Sequence, residues 1–163
     1  MNKRLTPHGP PSGFLRLLAR APIWLYRLGL GWLLGTRFLL LGHTGRKSGK
    51  PRQVVLEVVK YEPASGRAYV ASGFGRKSDW YLNVKANPQV EVQVWNHRFQ
   101  ARAEELSEAD SESLLLEYGS AHPGALRMLN SLLGYDLQPG EQGIRELAHR
   151  LPLIALILES GSR

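Results

Sequence analysis

Apolar positions along the chain change their period several times, and each change marks an element. From Ser12, a plausible N-cap, Phe14, Leu15, Leu17, Leu18, Ala21 and Leu25 recur at helical spacing, with Arg16 and Arg20 off that face. Pro22 either kinks this helix or starts a second one through Trp24 to Leu34. Phe38 to Leu41 then read as a short strand halted by Gly42-His43-Thr44-Gly45, and Val54 to Lys60 as a β-branched strand. Pro63-Ala64-Ser65-Gly66 predicts a hairpin into Arg67–Ser72. A short helix is expected from about Ser78 to Ala86, capped by Ser78 or Asp79 and stopped by Asn87-Pro88. Val90, Val92 and Val94 alternate with polar residues, and Asn96-His97 is expected to turn that strand back into Phe99–Ala103. Ser107 opens a helix with Leu114, Leu115 and Tyr118 on its apolar side. Pro123 parts it from a further helix over Ala125–Leu133, and Leu151 to Leu158 read as a buried final strand.

About six short strands, mostly joined by hairpins, with one inserted helix and more helices late, predict an α+β, mainly β, antiparallel barrel with helical packing. A parallel Rossmann sheet is disfavoured, because strands two to five lack a helical crossover between each pair. Residues 1–12, rich in Pro and polar groups, read as a disordered lead; residues 13–163 read as one domain whose 13–35 stretch holds the N-terminal helices.

Charge and composition narrow the chemistry. The 163 residues carry 21 Lys+Arg against 14 Asp+Glu, a formal charge of +7, which attracts an anionic ligand, membrane surface or nucleic acid. Residues 1–52 contain no Asp or Glu. Cysteine is absent, which excludes disulfides, thiolate metal sites and cysteine nucleophiles. The five histidines show no metal-ligand spacing. No convincing secretory signal or uncharged run of about 18 residues is seen, so a cytoplasmic protein is expected. Arg16, Arg20 and Arg27 among Leu, Trp and Phe leave two readings of residues 13–34 open: contact with an anionic membrane, or a helix plugging a barrel mouth. No nucleic-acid-binding module appears.

The strongest chemical feature is the turn from Gly45 to Arg52, with four cations in the seven residues 46–52. Gly45 and Gly49 let backbone approach an anion, Ser48 adds a hydroxyl, and Arg46, Lys47 and Arg52 offer charge-assisted bonds to phosphate. It is no Walker loop, since its spacing differs and no helix follows. Glu57 is the second candidate: a carboxylate among β-branched neighbours must be paired or protonated if buried, so it could donate a proton, orient substrate, or pair with Arg37. Tyr118 and His122, one helical turn apart, could border a pocket or simply pack.

Residues Leu39 to Arg52, including Gly42-His43-Thr44-Gly45-Arg46-Lys47-Ser48-Gly49-Lys50-Pro51-Arg52, resemble the phosphate-loop motif of the deazaflavin-dependent nitroreductase family. Ala71-Ser72-Gly73-Phe74-Gly75 and Trp80 to Pro88 follow in the same order, so the likeness covers roughly residues 24–105. The resemblance implies a split β-barrel, related to FMN-binding oxidases, that holds coenzyme F420, with FMN as the alternative. It implies that Arg46, Lys47 and Arg52 meet the phosphate and polyglutamate tail, and that Ala71, Ser72, Gly73 and Gly75 lie beside the deazaflavin. Trp80 is drawn in by its block, though Trp80, Tyr81 and Val84 at helical spacing also read as core. The expected reaction is hydride transfer from the reduced cofactor to a small organic acceptor such as a quinone, an activated alkene or a nitro compound, with water, Ser72, Glu57 or Tyr118 as proton donor. Residues 118–135 lack the aromatic cluster of the nitroreductase branch, so nitroimidazole reduction does not carry over. A non-catalytic cofactor carrier and a basic peripheral membrane protein are the rival readings. The chain is expected to be a monomer or a homodimer.

Overall fold

The computed structural model describes residues 22–124, 127, 131, 136–138 and 140–159. The lead at residues 1–12 and the first N-terminal helix, including Phe14 to Ala21, lie outside these, as does most of the helix expected over Ala125–Leu133.

Six strands close into an antiparallel barrel in the order β1-β2-β3-β6-β5-β4, with β4 also pairing with β1. They are β1 (Phe38–Thr44), β2 (Pro51–Glu62), β3 (Arg67–Ala71), β4 (Gln89–Val94), β5 (His97–Glu105) and β6 (Leu153–Leu158). Besides the helix of residues 22–27, three further helices are described in chain order: α1 (Asp79–Ala86), α2 (Glu108–Ala121) and α3 (Glu141–Arg150). Closure removes every sheet edge in this set of strands.

The period-2 pattern sets which side chains fill the barrel. Leu39 and Leu41, Leu56 and Val58, Ala68 and Val70, Val90, Val92 and Val94, Ala101 and Ala103, and Ile154 and Leu156 form one buried cluster. Trp80, Tyr81 and Val84 of α1 belong to it, so this helix, inserted between β3 and β4, stops one end of the barrel. The outer wall is covered from two sides. Leu115, Ile144, Leu147 and Leu153 pack with Val59 and Ala71 under α2 and α3. Ile23 and Tyr26 pack on Leu40 with Val55, which lays the helical residues 22–27 along the wall and not across a mouth.

Several boundaries differ from expectation for local reasons. Gly42 does not halt β1, because Gly42, His43 and Thr44 pair with Gln53, Arg52 and Pro51, and the hairpin narrows to residues 45–50. The β4–β5 turn is Trp95-Asn96, since Val94 pairs with His97. The helix of residues 22–27 stops before Gly29, and a 3-10 turn, Gly31–Leu34, replaces its expected continuation. The last strand starts at Leu153, because Leu151 ends α3 and Pro152 separates them. Helix α3 was not expected; its buried Ile144, Leu147 and Ala148 give it a clear apolar stripe.

The barrel stopper supplies a direct test. Trp80→Ala should cost about 3–5 kcal/mol in urea unfolding, the usual effect of emptying a core site of this size. A loss below 1 kcal/mol would show that Trp80 does not carry the packing assigned to it.

Candidate active site

The β1–β2 turn is ordered from within. The Gly45 N–H donates to the Lys50 carbonyl at 2.9 Å, the Gly49 N–H to the Gly45 carbonyl at 2.8 Å, and the Lys50 N–H to Ser48 Oγ at 3.3 Å. Gly49 has φ +65°, a conformation that favours glycine. A Cβ on Gly45 would lie 2.6 Å from Ser48 Oγ and 2.9 Å from Arg52 Nε, so only glycine lets those two side chains close over the turn.

A side chain that the sequence did not single out holds this turn to the barrel. Asn83, 2% exposed, sits in α1. Its Oδ1 accepts from the Arg46 backbone N–H at 3.0 Å and from the Arg46 guanidinium at 2.9 Å. Its Nδ2 lies 3.2 Å from Nδ1 of His43, which is 8% exposed. Burial pushes the His43 imidazole down to about 4, and the Arg52 charge adds to the shift while Asp79 opposes it. His43 is therefore neutral near pH 7, and its Nδ1 lone pair accepts from the Asn83 amide. Asp79 Oδ1, 3.1 Å from the same Arg46 nitrogen, completes the latch. An amide inside a short apolar helix was the available sequence signal for Asn83, because a buried amide needs partners for both its ends.

The latch divides the cations. One Arg46 nitrogen is spent on Asn83 and Asp79, while its remaining N–H groups, like Lys47, Lys50, Arg52 and Lys77, have no ion-pair partner among the described residues. Arg76 and Lys85 are otherwise engaged, each 2.5 Å from a Glu105 oxygen. Burial raises the Glu105 carboxyl, but hydrogen bonds from Lys85 and Arg76 outweigh it and hold the group below its usual range. A pre-ordered turn that exposes unpaired cations is the donor set an anionic ligand needs.

The Ala71–Gly75 segment lies elsewhere on the wall. Val58 pairs with Val70, which sets Ala71 beside Glu57. Ser72 is fully buried; its hydroxyl donates to the Gly75 carbonyl at 2.8 Å and lies 2.7 Å from Ser78 Oγ. Ser72 therefore folds the loop, and a proton-donating role at an open ring edge is not what this arrangement offers. Ser78 in turn makes no side-chain cap to α1. Gly75 has φ +73° and starts the short 3-10 turn Gly75–Lys77. Gly73 stands half-buried in the same bend, and Trp80 lies in the barrel core, 9% exposed.

Glu57 and Tyr118, 61 residues apart in sequence, meet on the outer wall. The Tyr118 hydroxyl donates to Glu57 Oε1 at 3.0 Å, and Arg37 approaches the same oxygen at 3.5 Å. Burial raises the Tyr118 hydroxyl to about 12, with the Glu57 charge second, so it stays protonated at neutral pH. The His122 ring stacks on Tyr118 with centroids 4.4 Å apart, beside a shallow hollow lined by Val59, Lys60, Leu114 and Ala121. Glu57 and the cationic turn lie on one strand, five residues and about 17 Å apart.

The His43 latch has a pH signature. Between pH 6.5 and about 4 the unfolded chain takes up a proton that folded His43 refuses. Its share of stability is thus complete above pH 6.5, is lost as pH falls through that window and levels off below it. The expected loss is about 2 kcal/mol after allowance for partial solvent access. Urea unfolding of His43→Gln should show a flatter pH profile than the wild type over this interval; parallel profiles would contradict the assignment.

Comparison with known proteins follows the same residues. A family model described as F420H(2)-dependent quinone reductase matches residues 24–125, well over half of the chain. The F420H(2)-dependent quinone reductase Rv1261c of Mycobacterium tuberculosis is 40% identical over 78 residues, 45% of this chain and 50% of that protein. The chain thus spans about half the length of these curated relatives. Among solved structures, an F420-H2 dependent reductase, FDR-A, superposes with a TM-score of 0.51 at 26% identity, covering 74% of this chain and 93% of that one. A protein of the pyridoxinephosphate oxidase family from Clostridium acetobutylicum, at TM-score 0.51 and 11% identity over 85% of each chain, shares the fold alone. The barrel, its cationic turn and the matched stretch place this chain in the F420H(2)-dependent quinone reductase family.

Proposed function

We propose that this protein is a reductase that takes a hydride from reduced coenzyme F420 and delivers it to a quinone-type acceptor. The observation that carries the reading is the latched turn of residues 45–52, whose Lys47, Lys50 and Arg52, without an ion-pair partner among the described residues, suit a ligand with several negative charges. Family membership and the matched relative's name support the same cofactor and acceptor class.

The residues present fit such a ligand. Lys47, Lys50, Arg52 and the outward N–H groups of Arg46 would hold its phosphate and carboxylates, and the exposed Gly49 leaves open space above the turn. Bound F420 supplies two-electron hydride chemistry through its deazaflavin ring. The chain supplies position, charge neutralisation and a proton. Strand β2 runs from the turn to Glu57, five residues beyond Arg52 and on the opposite face, so one strand sets the separation of the anion-binding turn from the Glu57–Tyr118 pair. Tyr118, kept protonated, is the group that passes a proton to an acceptor oxygen as negative charge develops there, and Glu57 with Arg37 orients its hydroxyl. Ser72 keeps the neighbouring loop closed.

Lys47→Ala combined with Arg52→Ala should weaken F420 binding by roughly 100-fold, the scale of two lost charge-assisted contacts, and leave a tail-less deazaflavin analogue unaffected. Fluorescence titration with F420, the analogue and FMN reads this. Equal wild-type affinity for F420 and the tail-less analogue would overturn the reading.

A further inference from the structure

The pairing of β2 with β3 is irregular at one point. Val58 pairs with Val70, but it is Lys60, and not Val59, that pairs with the next residue, Tyr69. Val59 is therefore the extra residue of a β-bulge, a feature that re-aims side chains and gathers beside active sites. Its effect shows on both faces of the strand. Leu56 and Val58 fill the barrel before the bulge, and Tyr61 packs against the same core after it. Val59 and Lys60 both face outward as a result, Val59 in the apolar cluster under α2 and α3 and Lys60 toward Glu117 of α2. A regular strand would have turned Tyr61 outward and Lys60 into the barrel.

The bulge gathers charge around the hollow beside Tyr118. Lys60 Nζ lies 3.0 Å from Glu62 Oε1 and 3.0 Å from Glu117 Oε2, and Lys60 and Glu117 both line the hollow. Glu57 Oε1 takes the Tyr118 hydroxyl at 3.0 Å and Arg37 at 3.5 Å, but nothing among the described residues is bonded to its Oε2. Arg37 is 67% exposed, and an ion pair so long and so exposed contributes little. These pairs set three carboxylates against two cations, in a chain whose overall charge is +7. Arg52, at the near end of the cationic turn, stands roughly 17 Å from Glu57 along β2. That is about two screening lengths at physiological salt, so the local carboxylates decide the field here and the distant turn does not.

We propose that Glu57 sets the charge selectivity of the acceptor site, admitting neutral and cationic quinone-type acceptors and turning away anionic ones. This rests on the reductase reading above and adds the class of acceptor that it takes. Oε2 is an acceptor without a donor, so a ring substituent that carries N–H, O–H or positive charge gains there, whereas a sulfonate or carboxylate meets repulsion. Val59, Leu114, Ala121 and the His122 ring offer a flat molecule apolar contact, which is indifferent to its charge. Discrimination by charge therefore falls to the carboxylate. The opposite signs of the two ends also sort the cofactor, whose anionic tail is drawn to the turn and kept from the hollow.

Steady-state oxidation of reduced F420 by the full-length chain reads the selectivity, each quinone taking the hydride and a proton to leave as hydroquinone. Values of kcat/KM are compared for menadione, a naphthoquinone sulfonate and a naphthoquinone bearing a quaternary ammonium group. Within one variant, ratios between quinones cancel any general loss of proton donation. Glu57→Gln should lower the menadione-to-sulfonate ratio by roughly tenfold and raise the menadione-to-cation ratio by a similar factor, the scale of one partly solvated charge at close range. Glu57→Asp keeps the charge but shortens the reach to Tyr118, so its ratios should stay within about twofold of wild type even where its rates fall. Ratios unchanged in Glu57→Gln, or shifted alike in both variants, overturn the selectivity while the reductase reading stands. A wild type that reduces none of the three quinones removes both.

Discussion

A single buried carboxamide organises the anion-binding end of this molecule. Asn83 cannot sit inside the barrel stopper with its amide unsatisfied, and a polar group without partners there would cost on the order of 1–3 kcal/mol. His43 meets one end and Arg46 the other, so two strands of constraint converge on a turn that would otherwise be a mobile run of like charges. Four cations in seven residues repel one another; the latch lets the fold hold them near each other before any ligand arrives to neutralise them.

The other wall follows from the way the barrel is covered. Helical residues 22–27 lie on the β1–β2 side and helices α2 and α3 on the β2–β3–β6 side, and Glu57 falls in the gap between them. A carboxylate placed under either cover would need full burial. At the seam it stays half-exposed, orients Tyr118 and faces Arg37. Gly31 of the N-terminal cover seats against the Trp95 carbonyl of the β4–β5 turn, so that covering element has both a packed face and an exposed one with Trp24 and Trp32.

Much of this was legible in the chain. The alternation of Val90, Val92 and Val94 and the spacing of Trp80, Tyr81 and Val84 report their burial directly, because period and face are local properties. The cationic turn was visible as well, since charge and glycine placement need no tertiary information. The latch was not. Whether Asn83 points into solvent or at Arg46 depends on a contact 37 residues away, which no local pattern encodes. The Glu57–Tyr118 bond is hidden for the same reason, as its partners were singled out separately but not as a pair. Ser72 shows the converse failure: a motif position drew attention, while only the folded loop reveals that its hydroxyl is consumed by Gly75 and Ser78. Helix α3 was not expected although its signal is local: Ile144, Leu147 and Ala148 keep helical spacing with Glu141, Arg145 and Glu146 off that face, and Gly143 allows close backbone approach at Gln138.

The central claim is that the turn is set in place before any ligand binds, by a hydrogen bond from the Arg46 backbone to a buried side chain. Amide hydrogen exchange of the ligand-free protein tests it at one atom. The account predicts that the Arg46 amide exchanges as slowly as the neighbouring β1 amides, while the exposed Lys47 and Ser48 amides exchange quickly. An Arg46 amide that exchanges as fast as Lys47 and becomes protected only when F420 is added would contradict it.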